Sequence, residues 1–219
     1  MDLSFSLFQI PALVFPSRCA FITFPMASRG VIFDMDGTIT VPVFDFAGLR
    51  AEANIGDHDL LEYMLRATGV ERARIQRVMR KYEDDAAAKA RLNPGARTVL
   101  TYLVRRCVPM ALLTRNSRRS VNTVCRKLRL KFDFIVTRED GPHKPAPDSI
   151  LKIARRWNVS PHEVLMVGDY KWDVLCAKNA GAPCVVLANG DELPDWAREA
   201  NYVIKRLTEL IPIIEGERT

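Results

Sequence analysis

Six short apolar runs punctuate the chain: Val31–Phe33, Met110–Leu113, Phe134–Val136, Val164–Val167, Cys184–Leu187 and Tyr202–Ile204. None alternates apolar with polar positions, so each predicts a strand buried on both faces. The stretches between them carry helical spacing instead. Gly95–Arg106 places Val99, Leu100, Leu103 and Val104 on one stripe, and Ser117–Leu130 does the same with Val121, Val124, Cys125 and Leu128. Pro147–Trp157 opens on a proline, whose fixed φ suits a first helical turn, and continues with Ile150, Leu151 and Ile153. Strands and helices in alternation predict an α/β domain, a Rossmann-like open parallel sheet with right-handed crossovers.

One segment departs from the alternation. Residues 40–92 hold two apolar stripes and no strand-like run, and they end at Asn93-Pro94-Gly95, a strong turn signal. Ile75, Val78, Met79 and Tyr82 follow the i, i+3, i+4, i+7 spacing of a helix, and Leu60, Leu61, Met64 and Leu65 form the second stripe. The pattern predicts a small α-helical cap inserted after the first strand on two hinges, one near Pro42 and one at Pro94-Gly95. The α/β core is then residues 26–39 and 93–219. No internal repeat or low-complexity segment interrupts it.

Residues 1–25 fit neither pattern. They hold five of the ten phenylalanines and three of the 13 prolines, and Asp2 and Arg18 are their charged residues. Arg18 follows the apolar stretch where a secretory signal wants charge before it, and Pro11 and Pro16 interrupt any helix. The segment reads as a disordered leader outside the fold, with Met26 as a candidate start. The expected location is cytoplasmic, and an organellar address in residues 1–25 is the alternative.

The length of 219 residues allows one α/β core and a small insertion. Net charge is +6. The basic residues are spread along helix-like stretches, as at Arg72, Arg74, Arg77, Arg80 and Lys81, without interleaved aromatics. That reads as solvated faces with an attraction for an anionic substrate, and no nucleic-acid partner is expected. No run of 18 apolar residues exists, so no membrane span is expected. Five cysteines (Cys19, Cys107, Cys125, Cys176 and Cys184), odd in number and without a C-x-x-C pair, argue against a disulfide framework and a structural zinc site. Buried free thiols are the expectation.

In an open parallel sheet, ligands gather at the carboxyl ends of the strands. Asp34-Met35-Asp36-Gly37-Thr38 follows the first strand, with two carboxylates and a glycine that releases the chain into a tight turn. Leu112-Leu113-Thr114-Arg115-Asn116-Ser117 ends another strand with a hydroxyl and a helix start, whose N–H groups bind phosphate readily. His143-Lys144-Pro145-Ala146-Pro147-Asp148 holds an ammonium among turn residues, where it can neutralise phosphoryl charge and orient a carboxylate. Val167-Gly168-Asp169-Tyr170-Lys171-Trp172-Asp173 puts one carboxylate at a strand end and another four residues on, the oxygen ligands that Mg²⁺ takes. Each motif alone has a plain alternative, because strand ends and helix caps use the same residue types. His58, His143 and His162 form no metal or nucleophile constellation by spacing.

Together, Asp-x-Asp, Thr, Lys and Gly-Asp-x-x-x-Asp, each at a strand end or helix start, form a far more specific set. It resembles the haloacid dehalogenase superfamily over about residues 30–190. The insertion is similar to the small helical cap of the phosphoglycolate phosphatase and β-phosphoglucomutase branch. The resemblance implies Asp34 as nucleophile and Asp36 as general acid/base. It implies Thr114 and Lys144, with Arg115 and Asn116, as phosphate-binding residues, and Asp34, Asp36, Asp169 and Asp173 around Mg²⁺. The implied activity is hydrolysis of a small phosphorylated metabolite through an aspartyl-phosphate, by a monomer or homodimer. A phosphosugar mutase using the same Asp34 and Asp36 is an alternative. A non-catalytic interaction protein on this scaffold is another, and the presence of all four acidic residues weighs against it.

Overall fold

In the structure, a computed structural model, the described residues are 28–190 and 192–216. The leader of residues 1–25, the candidate start Met26 and Cys19 therefore lie outside the described residues. The six apolar runs form six parallel strands: β1 (Gly30–Phe33), β2 (Met110–Leu113), β3 (Phe134–Val136), β4 (Val164–Gly168), β5 (Cys184–Leu187) and β6 (Tyr202–Ile204). Their order across the sheet is β3-β2-β1-β4-β5-β6. Val31 pairs with Met110 on one side and Leu165 on the other, which keeps the strand ends level. This is the doubly wound, Rossmann-like α/β architecture that the apolar runs predict.

The helices in chain order are α1 (Phe46–Ala53), α2 (Leu60–Arg66), α3 (Gly69–Lys89), α4 (Ala96–Arg105), α5 (Arg118–Leu128), α6 (Asp148–Trp157), α7 (Lys171–Ala180) and α8 (Leu210–Glu215). Successive strand residues point to opposite faces, so the sheet feeds two apolar layers. Val31, Phe33, Leu112, Leu165, Val167 and Val185 pack with Val99, Leu103, Val121, Val124 and Ile213 of α4, α5 and α8. Ile32, Ala111, Leu113, Met166 and Val186 pack with Ile150, Ile153, Val174 and Ala177 of α6 and α7. A fully buried side chain such as Ile32 or Phe33 contributes about 1.5–3 kcal/mol, so the central strands anchor the sheet. Val104, expected on the buried stripe of α4, is 63% exposed. It flanks the stripe occupied by Val99, Leu100 and Leu103.

Between β1 and α4 the chain forms α1, α2 and α3 around their own apolar cluster of Leu49, Ile55, Leu61, Met64, Ile75, Val78 and Met79. Leu65 is 56% exposed and does not belong to this cluster. The outgoing and returning connections are hydrogen-bonded to each other. Val41 N–H donates to Arg91 O at 3.0 Å and Asn93 N–H to Ile39 O at 2.9 Å, joining them into one paired neck.

Cys125, Cys176 and Cys184 are free thiols. Cys107 is disulfide-bonded, so the expectation of a free thiol does not hold at that position. An odd count excludes complete pairing but leaves room for a single bond. Among the described residues, no helix is long and apolar enough to cross a membrane.

Candidate active site

The chain winds from β1 outward to β2 and β3, then returns to the other side of β1 for β4. This switch point leaves a crevice beyond the carboxyl ends of β1 and β4, and Asp34 and Asp169 follow those two ends. Asp34 is held from the start, because its N–H continues the sheet by donating to Val167 O at 2.8 Å. The turn after Asp34 needs Gly37. Its φ is +78°, and a Cβ there would lie 1.9 Å from Asp169 Oδ2. Gly168 makes room in the same way, since a Cβ would fall 2.2 Å from Asp173 Cγ.

Lys144 binds this acidic group together. Its ammonium, 3% exposed, donates to Asp34 Oδ1 and Asp173 Oδ1 at 2.5 Å each. Asp173, at 1% exposure, is further fixed by the Tyr170 N–H at 3.1 Å, which closes the first turn of α7. Asp34, Asp169 and Asp173 each present an oxygen within 4.8 Å of the others. One ammonium against three carboxylates leaves the crevice short of positive charge. Burial therefore pushes the Asp34 carboxyl well above its ordinary range, with repulsion from Asp173 and Asp169 adding to it and Lys144 opposing it. Burial and then Asp173 push Asp169 up to about 7. Burial opposes the charge on Lys144, but Asp173 and Asp34 outweigh it and raise its pKa above the ordinary lysine value. A set of crowded, purely oxygen donors suits a hard divalent cation such as Mg²⁺.

Asp36 stands outside that three-carboxylate group. Its Oδ2 accepts from Asn116 Nδ2 and its Oδ1 from Thr40 Oγ1 at 3.3 Å. Two residues along a turn point the Asp34 and Asp36 carboxylates to different partners, so the carboxylate cluster is made of Asp34, Asp169 and Asp173 and the Asp36 side chain lies outside it. Burial raises the Asp36 pKa, while Asn116 and Thr40 partly offset it and Glu83 adds to the rise.

Thr114 is buried beyond β2, and its Oγ1 accepts the Asn116 N–H at 3.2 Å. Asn116 thus bridges Thr114 and Asp36. Arg115 turns elsewhere. Its Nη2 donates to Asp59 Oδ1 at 2.6 Å, and its guanidinium lies 5.5 Å from the centre of the Trp172 ring. Asp59 is the N-cap of α2, so Arg115 is engaged by the helical insertion.

Three residues near the site escaped the sequence reading. Asn189 Nδ2 donates to Gly37 O at 2.7 Å and Asp169 Oδ2 at 3.1 Å, while Asn93 Nδ2 donates to Gly37 O at 3.2 Å. Asn189 follows β5, so the rule that ligands gather at strand ends could have found it had it been applied to β5. Asn93 reads as a turn residue and nothing local marks its second role. Glu83, buried on α3, accepts from Arg138 and Ser117 of the core; its place four residues beyond Met79 on the apolar stripe was the available signal, a charged residue at a buried position.

Carboxylates gathered around one lysine at the switch point of a parallel sheet define a class, the α/β enzymes built on an aspartate-centred site. Within that class, the chain belongs to the haloacid dehalogenase-like hydrolase family, whose model matches residues 49–187. It is therefore an enzyme, a hydrolase. The family match starts beyond Asp34 and Asp36, so that pair enters through the geometry. A haloacid dehalogenase-like hydrolase domain-containing protein of Arabidopsis thaliana is 33% identical over 182 residues, 76% of this chain and 74% of the relative. The phosphoglycolate phosphatase of Pseudomonas putida is 29% identical over 214 residues, 84% of this chain and 79% of the relative. Among solved structures, a hydrolase from Pseudomonas syringae is similar in fold, with a TM-score of 0.71 at 22% identity over 88% of this chain and all of that one.

Proposed function

We propose that the protein is a Mg²⁺-dependent phosphatase of small phosphate monoesters that works through an aspartyl-phosphate on Asp34. The observation that carries this reading is the Lys144 bridge between Asp34 and Asp173, beside an Asp36 held separately by Asn116 and Thr40. The likeness to the Pseudomonas putida phosphoglycolate phosphatase supports it. Asp34, Asp169 and Asp173 would hold the Mg²⁺, which supplies positive charge to offset that of the phosphoryl group. Lys144 and Thr114 bind the phosphoryl oxygens and orient the phosphorus toward Asp34. The Asp34 carboxylate attacks phosphorus, forming the acyl phosphate as the ester P–O bond breaks. Asp36, whose raised pKa favours the acid form, gives its proton to the leaving alcohol oxygen. It then takes a proton from water as that water attacks the aspartyl-phosphate, releasing inorganic phosphate and restoring Asp34. The helical insertion acts as a cap that sets which esters reach the crevice.

Phosphate release from a panel of monoesters with Mg²⁺ tests the reading, and phosphoglycolate belongs on that panel. Turnover of at least one ester, lost on chelation, is expected. An inert protein would sink the reading, and transfer between sugar carbons without net hydrolysis would favour the mutase instead.

Metal binding also has a thermal signature. Asp169 has a raised pKa in the fold, so the fold retains a proton that the unfolded chain releases at lower pH. The metal-free fold therefore loses stability as pH rises from about 4 through about 7. Mg²⁺ relieves the same repulsion. At one fixed Mg²⁺ concentration, a hundredfold over the Kd at pH 8, its stabilisation should be about 5 °C or more at pH 8 and smaller at pH 6, where binding is weaker. Thermal melts with and without Mg²⁺ at the two pH values measure this, and an equal shift at both would contradict it.

A further inference from the structure

Glu83 lies two-thirds of the way along α3, is 4% exposed and enters the chemistry above only as a charge near Asp36. A glutamate this buried is costly unless its charge is met by held partners. Both partners come from the core. Ser117 Oγ, at the cap of α5, donates to Glu83 Oε2 at 2.5 Å. Arg138, just beyond β3, donates through Nη1 to Oε1 and through Nη2 to Oε2 at 3.3 Å.

The two partners meet at one residue, Asn116. Ser117 is its neighbour in the chain, and Arg138 N–H donates to Asn116 O at 3.2 Å. Asn116 in turn donates through Nδ2 to Asp36 Oδ2. Glu83 thus reaches from the insertion to two core side chains, one on the residue after Asn116 and one on the residue whose N–H holds the Asn116 carbonyl. A pair that merely fastened α3 to α5 would not need to converge there. Arg119 to Asp84 at 2.8 Å already joins these two helices at the surface.

We propose that Glu83 is a positioning residue: by holding Arg138 and Ser117 it sets the Asn116 amide against Asp36, so the carboxylate is aligned while the insertion is seated on the core. This rests on the reading of Asp36 as acid/base. Losing Glu83 should slow turnover, because both proton transfers use Asp36, and should leave capture of the phosphoryl group by Lys144 and Thr114 nearly intact.

The test is Glu83→Gln in the full chain with Mg²⁺, which keeps the shape and removes the charge. Two readouts apply: kinetics with p-nitrophenyl phosphate, and the Asn116 side-chain amide resonance in ¹⁵N-labelled protein. The expected result is a kcat about tenfold lower, with KM within about twofold and the Asn116 resonance moved toward that of a solvent-exposed amide. Should Glu83→Gln fold poorly, the pair Glu83→Gln/Arg138→Gln leaves no lone buried charge and carries the same two readouts. An unmoved Asn116 resonance overturns the positioning role, as does parental kcat. A parent protein inert on every ester, with the resonance shifted in the variant, counts for the positioning and against the phosphatase reading.

Discussion

Asp34→Asn should release no phosphate above background, a fall of about 10⁴-fold or more, while melting at or above the temperature of the parent protein. The two halves have one cause. Asparagine keeps an oxygen in the place where Lys144 donates at 2.5 Å, so the bridge to Asp173 survives in outline. What it loses is the negative charge. An amide oxygen is far too weak a nucleophile to attack a phosphate ester, so turnover stops. The same charge is a burden to the fold, since burial and repulsion by Asp173 and Asp169 hold the Asp34 carboxyl well above its ordinary pKa. A carboxylate with a raised folded pKa costs stability increasingly as pH rises from the unfolded value of about 4 up to the folded one, and the neutral amide removes this cost at pH 8. Kinetics paired with thermal melts at pH 8 check both halves. A folded variant with parental turnover would end the nucleophile assignment, and a lower melting temperature would show that the Asp34–Lys144 attraction outweighs the crowding.

The α/β core was legible because a parallel sheet buried on both faces writes its strands as unbroken apolar runs, and all six such runs are strands. Asp34, Thr114 and Asp169 could be read for the same reason, each falling just past a run that already marked a strand end. What escaped depends on contacts between segments far apart in the chain. Glu83 continues the buried stripe of α3, four residues beyond Met79, but spacing does not say what meets its charge, and only the packing of α3 on the core brings it against Ser117 and Arg138. Arg115 follows Thr114 in the chain, yet its guanidinium goes to Asp59 and Trp172, because α2 brings a carboxylate within 2.6 Å. Spacing could place Asp34 and Asp36 on one turn but could not say that their carboxylates part, one toward Lys144 and the other toward Asn116.

Lys144→Met should be the mirror image of Asp34→Asn, damaging activity and stability together, and the stability loss should depend on pH. Methionine fills much of the lysine volume, so packing is largely kept and the change is mainly electrostatic. With the ammonium gone, Asp34, Asp169 and Asp173 share the crevice without an internal cation. Removing one member of a buried ion pair costs about 3–5 kcal/mol, or about 6–20 °C in a chain of this size. That cost has an outlet, because a carboxylate can take up a proton. Without Lys144, which lowers the pKa of Asp34 and Asp169, both rise further, and the fold holds its protons to higher pH. Below the unfolded carboxylate value of about 4 both states are protonated and this cost disappears. As pH rises through the interval up to the raised folded values, the unfolded chain releases protons that the fold must keep. The deficit against the parent protein therefore grows, being small near pH 5 and largest near pH 8. Mg²⁺ at pH 8 should recover part of it by replacing the missing positive charge. Turnover should stay about 10²- to 10³-fold down even with Mg²⁺ saturating, because the ammonium is fixed where the phosphoryl charge develops and a cation bound elsewhere in the crevice does not replace it. Melting curves from pH 5 to pH 8, with and without Mg²⁺, decide the matter. A deficit that does not change with pH would mean that Lys144 acts through packing and not through its charge.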